Sequence, residues 1–301
     1  MPSKPLLIVI TGPTASGKTE LAISIAQHFN TEILSADSRQ VYKEISIGTA
    51  KPTADELSQA KHHFINHISI HQNYDVGIYQ QEALNVLGKI FQQKKVAVMV
   101  GGTGLYIKSV TEGLDEFPEI DAATRNFVRQ NYQQKGIEWL QNELKSKDEI
   151  YFNHVDKNNP HRLTRALEVC LAAGKPFSSF LHQQKKELLF TVLKIAIAIN
   201  REKLYERINL RVEKMMQLGL EEESRNVYPF KHLQALQTVG YKELFDYFDN
   251  KISKEKAIEL IQQNTRNYAK RQLTWLKKDA TIHWLQPNAD EIIEFIKTKL
   301  P

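Results

Sequence analysis

Apolar residues in the first hundred positions follow two alternating patterns. Short, near-continuous apolar runs at 6–10 and 95–100 each predict a buried strand, and 32–36 offers a second possible one. Between them, Leu21, Ala22, Ile25, Ala26 and Phe29 recur at helical spacing, as do Ala83, Leu84, Leu87 and Ile90. Strand–helix alternation of this kind predicts an α/β fold, a parallel sheet covered by helices. From about 120 to 186 the pattern turns helical and polar, carried by Phe127, Tyr132, Trp139, Leu140, Leu144, Leu163, Leu167 and Leu171. A β-like run at 193–199 resumes the sheet, helical patterns continue to Leu276, and 281–285 predicts a last strand. The expected organisation is a core of residues 1–118 and 190–301, interrupted by a helical insertion at 119–189. Histidines 62, 63, 67 and 71 lie in a strand-like stretch with no HExxH, and read as structural or crevice-lining groups.

With 42% hydrophobic and 25% charged residues, the 301-residue chain is not disordered as a whole. A single cysteine, Cys170, excludes an intrachain disulfide and a Cys-rich zinc site. No run approaches the ~20 apolar residues that span a bilayer, and the 6–10 stretch is too short for a signal-peptide core. The expectation is a soluble, cytoplasmic chain without a membrane partner, monomeric by default. The net charge is +5, and residues 251–280, with eight Lys/Arg against three Asp/Glu, carry all of it. Such a segment is either a solvated helix face or a surface for a phosphate backbone.

Three groups carry candidate chemistry. Gly12, Pro13, Thr14, Ala15, Ser16, Gly17, Lys18 and Thr19 match G-x-x-x-x-G-K-[ST] in full, after a predicted strand and before a predicted helix. The loop is a nest of backbone N–H groups for a di- or triphosphate, as in ATP-binding proteins. Lys18 adds a point charge, and the Thr19 hydroxyl would ligate Mg²⁺. The second group is Asp37, Ser38, Arg39 and Gln40, at the end of the second predicted strand. Asp37 there is a metal carboxylate, a general base or a helix N-cap. The third is Gly101, Gly102, Thr103 and Gly104. Paired glycines admit close approach to a ligand, although a plain glycine turn would look the same. The strand before them ends without the acidic residue expected of a nucleotide hydrolase.

Together these stretches resemble the tRNA dimethylallyltransferase (tRNA isopentenyltransferase) family. The resemblance rests on GPTASGKT (12–19), ADSRQVY (36–42), IGTAKP (47–52), GGTGLYIK (101–108), HRLTRALEV (161–169), VGYKE (239–243) and TRNYAKRQLTWL (265–276), and spans nearly the whole chain, with a loose match at 121–156. It implies a P-loop NTPase-like sheet core with a helical insertion that contacts tRNA. It further implies transfer of a dimethylallyl group from dimethylallyl diphosphate to N6 of adenosine-37, next to the anticodon, in tRNAs reading codons that begin with U. The loop then holds leaving diphosphate, with Mg²⁺.

By the same resemblance, Asp37 is the general base, Lys18 and Arg225 stabilise the diphosphate, and Thr103 contacts the target base. The tRNA anticodon stem-loop would meet Asp37, Ser38, Arg39, Gln40 and Thr103. Further contacts would come from Arg125, from His161, Arg162, Leu163, Thr164 and Arg165, and from Gln237, Thr238, Val239, Gly240, Tyr241 and Lys242. Arg266, Lys270, Arg271, Lys277 and Lys278 would add backbone attraction. Tyr268 and Trp275 interleave with them; core packing is the simpler reading of Trp275. The competing readings are a small-molecule or nucleoside kinase and a non-catalytic RNA-binding protein. Enzymes that prenylate free adenine nucleotides share the resemblance, and the basic C-terminal segment favours tRNA.

Overall fold

Leu6, Ile8 and Ile10 alternate with Leu7 and Val9, so a strand made of them needs cover on both sides. The computed structural model describes residues 4–181 and 187–300 and supplies that cover. Strand β1 (Leu6–Thr11) leads to α1 (Lys18–His28), β2 (Ile33–Ser35), α2 (Ala54–Gln59), β3 (His62–His63), α3 (Val76–Phe91), β4 (Val96–Gly101) and α4 (Gly104–Glu112). On one face, Leu6, Ile8 and Ile10 pack with Leu21 and Ile25 of α1. On the other, Leu7 and Val9 pack with Tyr79 and Leu87 of α3 and with Tyr106 of α4.

Two compact units divide the chain: residues 1–112 with 188–301, and residues 113–187. The second unit holds α5 (Ala122–Lys147), α6 (Glu149–His154) and α7 (Pro160–Ala173) around Leu140, Leu144, Leu163 and Leu167. Gly136, at φ 74°, breaks the path of α5. Asp148 is 4% exposed; it caps α6 through the Tyr151 N–H and accepts both the N–H and the hydroxyl of Ser178.

The first unit resumes with β5 (Thr191–Ile197), α8 (Arg201–Gln217), α9 (Leu220–Val227), α10 (Tyr241–Phe248), α11 (Lys254–Leu276), β6 (Ile282–Leu285) and α12 (Ala289–Lys297). Its sheet is six-stranded and wholly parallel, in the order β3-β2-β4-β1-β5-β6. Parallel strands end at one edge, where open α/β sheets bind ligands. The phosphate-type loop after β1, Asp37 after β2 and the paired glycines of β4 therefore converge. Helices α8, α9, α10 and α11 pack over the 41–47 loop through Val212, Leu220, Leu244 and Ile261. Among the described residues, no helix is long and apolar enough to cross a membrane.

The strand-like reading of the histidine stretch extends too far. Only His62–His63 pair with β2, because Phe64 (φ 65°) and Asn66 (φ 51°) turn left-handed.

Candidate active site

Left-handed backbone at Ala15 (φ 65°) and Gly17 (φ 91°) curls the loop after β1 into an anion nest opening on the N-terminus of α1. Lys18 Nζ donates to the Pro13 carbonyl at 2.6 Å, folded back over its own loop. Burial pushes its pKa down to about 7; the Arg211 guanidinium pushes the same way, and Asp37 opposes both. Arg211, on α8, reaches Thr14 Oγ1 with Nη1 at 3.4 Å, and burial lowers its own pKa. The free loop thus disfavours the charged lysine, and a bound oligo-anion would restore it.

Asp37 serves the backbone and faces the cleft at once. Its Oδ1 accepts the N–H groups of Arg39 (2.8 Å) and Gln40 (3.3 Å), while Oδ2 takes neither bond. The carboxylate thus caps a turn and not the helix expected there: residues 38–41 form turns, and the next helix begins only at Ala54. Thr103 Oγ1 accepts the Ser38 N–H at 3.0 Å, and its own N–H donates to the Ala36 carbonyl at 3.1 Å, joining the β2 and β4 ends.

Two clefts meet at Asp37. The first, of about 700 Å³, is lined by Thr14, Ser16, Lys18, Thr19, Lys51 and Gln272 among others. The second, of about 660 Å³, runs past Ser38, Arg39, Gln237, Thr238, Val239, Gly240, Lys242 and Arg271. Thr14, Asp37, Arg211 and Tyr268 line both. Tyr268 is therefore a cleft residue; burial, then the Asp37 charge, raises its hydroxyl to about 12. The Arg271 guanidinium lies 5.8 Å from its ring centre.

The IGTAKP loop is fastened from several directions. Glu223 accepts the N–H groups of Ser46, Ile47 and Gly48 at 2.8, 2.9 and 3.0 Å, and the Tyr241 hydroxyl at 2.6 Å. Gln40 Nε2 donates to the carbonyls of Thr49 and Ala50, and Lys51 Nζ to Ser46 Oγ and Asn66 Oδ1. Burial pushes Lys51 down to about 8.

Several sequence expectations require correction. Arg225 lines neither cleft: on α9 it pairs with Glu221 at 3.0 Å and stacks on Phe248 at 4.2 Å. Arg211 occupies the place expected of it, because α8, not α9, passes over the loop. Leu163 and Tyr241 are fully buried, so both are core residues and offer no surface to an RNA. His161, Arg162, Arg165 and Arg125 are exposed, Arg165 5.4 Å from the Phe117 ring centre, and Thr164 is half-buried. Lys270, Arg271, Lys277 and Lys278 are exposed, whereas Arg266 is held by Asn209 at 2.6 Å. Among the histidines, His63 meets Glu32 at 2.6 Å and His67 meets Glu82 at 2.9 Å. Sequence reasoning passed over Arg211, Glu223 and Gln272. The spacing of Arg207 and Arg211, one helical turn apart after a strand, was the available signal for the first.

Comparison with known proteins accords with this architecture. The tRNA dimethylallyltransferase of Christiangramia forsetii is 53% identical over 98% of both chains. The crystal structure of the tRNA isopentenylpyrophosphate transferase of Bacillus halodurans superposes with a TM-score of 0.74 at 33% identity, over 99% of this chain and 97% of that one. A eukaryotic dimethylallyltransferase captured acting on tRNA gives 0.81 at 27% identity, over 94% of this chain and 74% of its own. The family model described as IPP transferase matches residues 40–279, and the chain belongs to that family.

Proposed function

We propose that this chain prenylates tRNA, moving a dimethylallyl group from dimethylallyl diphosphate to N6 of the adenosine 3′ of the anticodon, adenosine-37, in tRNAs that read codons beginning with U. The observation that carries the reading is the position of Asp37. It stands where a phosphate-type cleft meets a second cleft leading out to exposed Lys and Arg side chains. Donor in the first cleft and acceptor in the second would meet at one carboxylate.

The diphosphate would take the nest of Gly12 to Thr19, with Lys18 and Arg211 meeting the charge that grows on its oxygens as the C–O bond breaks. Thr19 offers the hard oxygen that Mg²⁺ prefers. Mg²⁺ typically keeps several waters and binds substrate phosphates with few protein ligands. Bound there, Mg²⁺ would neutralise part of the diphosphate charge. The adenine must leave its stack to reach the cleft. N6 then attacks C1 of the allyl group, diphosphate departs with the bonding pair, and the N6 proton passes to Asp37 Oδ2. Thr103 and Ser38 form the wall beside that carboxylate. Arg39, Gln237, Lys242 and Arg271 line the way in, and the exposed Arg162 and Arg165 give the insertion unit a basic face for the same RNA.

The test is transfer of label from dimethylallyl diphosphate, with Mg²⁺, to tRNA lacking the modification, run beside free AMP. Label should appear in the tRNA, and Asp37→Asn should slow single-turnover transfer by ~10²–10⁴-fold with tRNA affinity kept within a few fold. ATP consumption with a small acceptor, and no labelled tRNA, would turn the reading to a kinase.

A further inference from the structure

Glutamine is seldom buried, because its carboxamide brings donors and an acceptor that must all be met. Gln272, on α11, is 8% exposed. Its Oε1 accepts the Thr14 N–H at 2.9 Å and its Nε2 donates to the Gly102 carbonyl at 3.0 Å. Only this amide orientation works; the flipped one sets Nε2 against an N–H and Oε1 against a carbonyl. Gly102 is shaped to receive it, since a Cβ there would stand 2.1 Å from Nε2. Carboxamide and glycine form a fitted pair between the last long helix and the end of β4.

Both anchors line the first cleft, together with Gln272 itself and with Asp37, where the second cleft joins it. Thr14 belongs to the loop proposed to take diphosphate. Gly102 leads into Thr103, whose Oγ1 holds the Ser38 amide next to Asp37. Allyl transfer needs the amine nitrogen aligned behind C1, opposite the departing oxygen, and a misplacement of ~1 Å can cost ~10²-fold. We infer that Gln272 is a positioning residue for the transfer, fixing the spacing between the diphosphate loop and the glycine turn that sets Thr103 and Ser38 beside Asp37. It does so from the helix that also carries Tyr268 and Arg271 into the second cleft. The inference rests on the donor and acceptor sides proposed above.

Gln272→Glu separates positioning from mere packing. An ionised carboxylate keeps an acceptor for Thr14 but turns an oxygen on the Gly102 carbonyl. The protonated acid restores one donor and one acceptor, and burial favours that form. Single-turnover transfer of labelled dimethylallyl groups to tRNA would be followed near pH ~6 and ~8. Gln272→Glu should fall ~10-fold or more below wild type at the higher pH and recover several-fold, relative to wild type, at the lower. Gln272→Met should lose rate equally at both, with the Kd values for tRNA and diphosphate within ~3-fold of wild type. In addition, Gly102→Ala should cost less in a Gln272→Ala background than alone, because the clash is with the carboxamide. A wild-type rate in Gln272→Met overturns the inference. So does a Gln272→Glu profile parallel to wild type, which decides the matter even if the Met variant does not fold. No transfer by the wild-type protein in the same assay would instead sink the proposed reaction, so the two failures are distinct.

Discussion

Glu223 Oε2 accepts the backbone N–H of Ile47 at 2.9 Å, across 176 positions of sequence. The neighbouring amides of Ser46 and Gly48 point at the same carboxylate, and the Tyr241 hydroxyl closes the set. Hydrogen bonds to a charged acceptor contribute more than neutral ones, and removing the acceptor strands three amides. Gly48 is part of the fit: a Cβ there would lie 2.6 Å from the Tyr241 oxygen. Glu223→Ala should lower stability by about 2–4 kcal/mol in denaturant unfolding. Glu223→Gln, which keeps one acceptor oxygen, should cost less. Equal unfolding midpoints for wild type and Glu223→Ala would mean that the loop is held by its other contacts.

Two arginines offer a direct contrast. Arg211 is half-buried over the loop after β1, whereas Arg225 is 57% exposed and already paired with Glu221. Arg211→Gln should cut kcat/KM for dimethylallyl diphosphate by ~10²-fold or more, the scale of losing one transition-state charge contact. Arg225→Gln should stay within about two-fold, since an exposed i,i+4 pair contributes little. Steady-state kinetics with saturating tRNA would read both, and a reversed ranking would return the role to Arg225.

The affinity of a diphosphate bound in the loop after β1 would depend on pH through Lys18. Its pKa lies near about 7 in the ligand-free protein, down from an ordinary 10.5, chiefly through burial. Between those values the unfolded chain binds more protons than the folded one, so this group makes the free protein more stable as pH rises through that window. A bound diphosphate would restore the ammonium. Binding near pH ~8 should therefore take up about one proton through Lys18, and near pH ~6 almost none. Calorimetry in buffers of different ionisation enthalpy measures this. Subtracting the uptake of Lys18→Met removes diphosphate's own titration. Identical uptake in the two proteins would show that Lys18 stays charged when the loop is free.

What the sequence could tell follows from the range of each interaction. The strands at 6–10 and 95–100 were legible because burial on both faces leaves unbroken apolar runs, and the phosphate-type loop because its residues are contiguous. Asp37 was legible as a position, but its local contacts were not: a strand end followed by Ser-Arg-Gln reads as a helix cap, whereas its Oδ1 holds the amides of a turn. Choosing Arg211 over Arg225 needed the packing of α8 and α9, which no local pattern encodes. Gln272 and Glu223 act over 258 and 177 positions, and in sequence each is one polar residue on a helix. Leu163 and Tyr241 went astray for a related reason: a motif marks a stretch, while burial decides which of its side chains reach a partner.

The basic segment at 251–280 divides under the structure in a way its net charge hides. Lys251 is paired with Asp246 and Asp249 at 2.9 Å each, Lys254 with Glu221 at 2.7 Å and Lys256 with Glu259 at 2.8 Å. These lysines have partners to lose before they can meet a phosphate. Lys270 and Arg271 stand exposed on the following turns of α11, and Arg271 lines the second cleft. Salt dependence of binding counts the phosphates neutralised, about 0.7–0.9 in the log–log slope per contact. Replacing Lys270 and Arg271 together by Ala should therefore lower the slope of tRNA affinity against salt by about 1.5. Replacing Lys254 and Lys256 should leave the slope nearly unchanged, although the segment loses the same formal charge. Equal slopes from the two double variants would show that the RNA responds to net charge alone and not to the unpaired face of the helix.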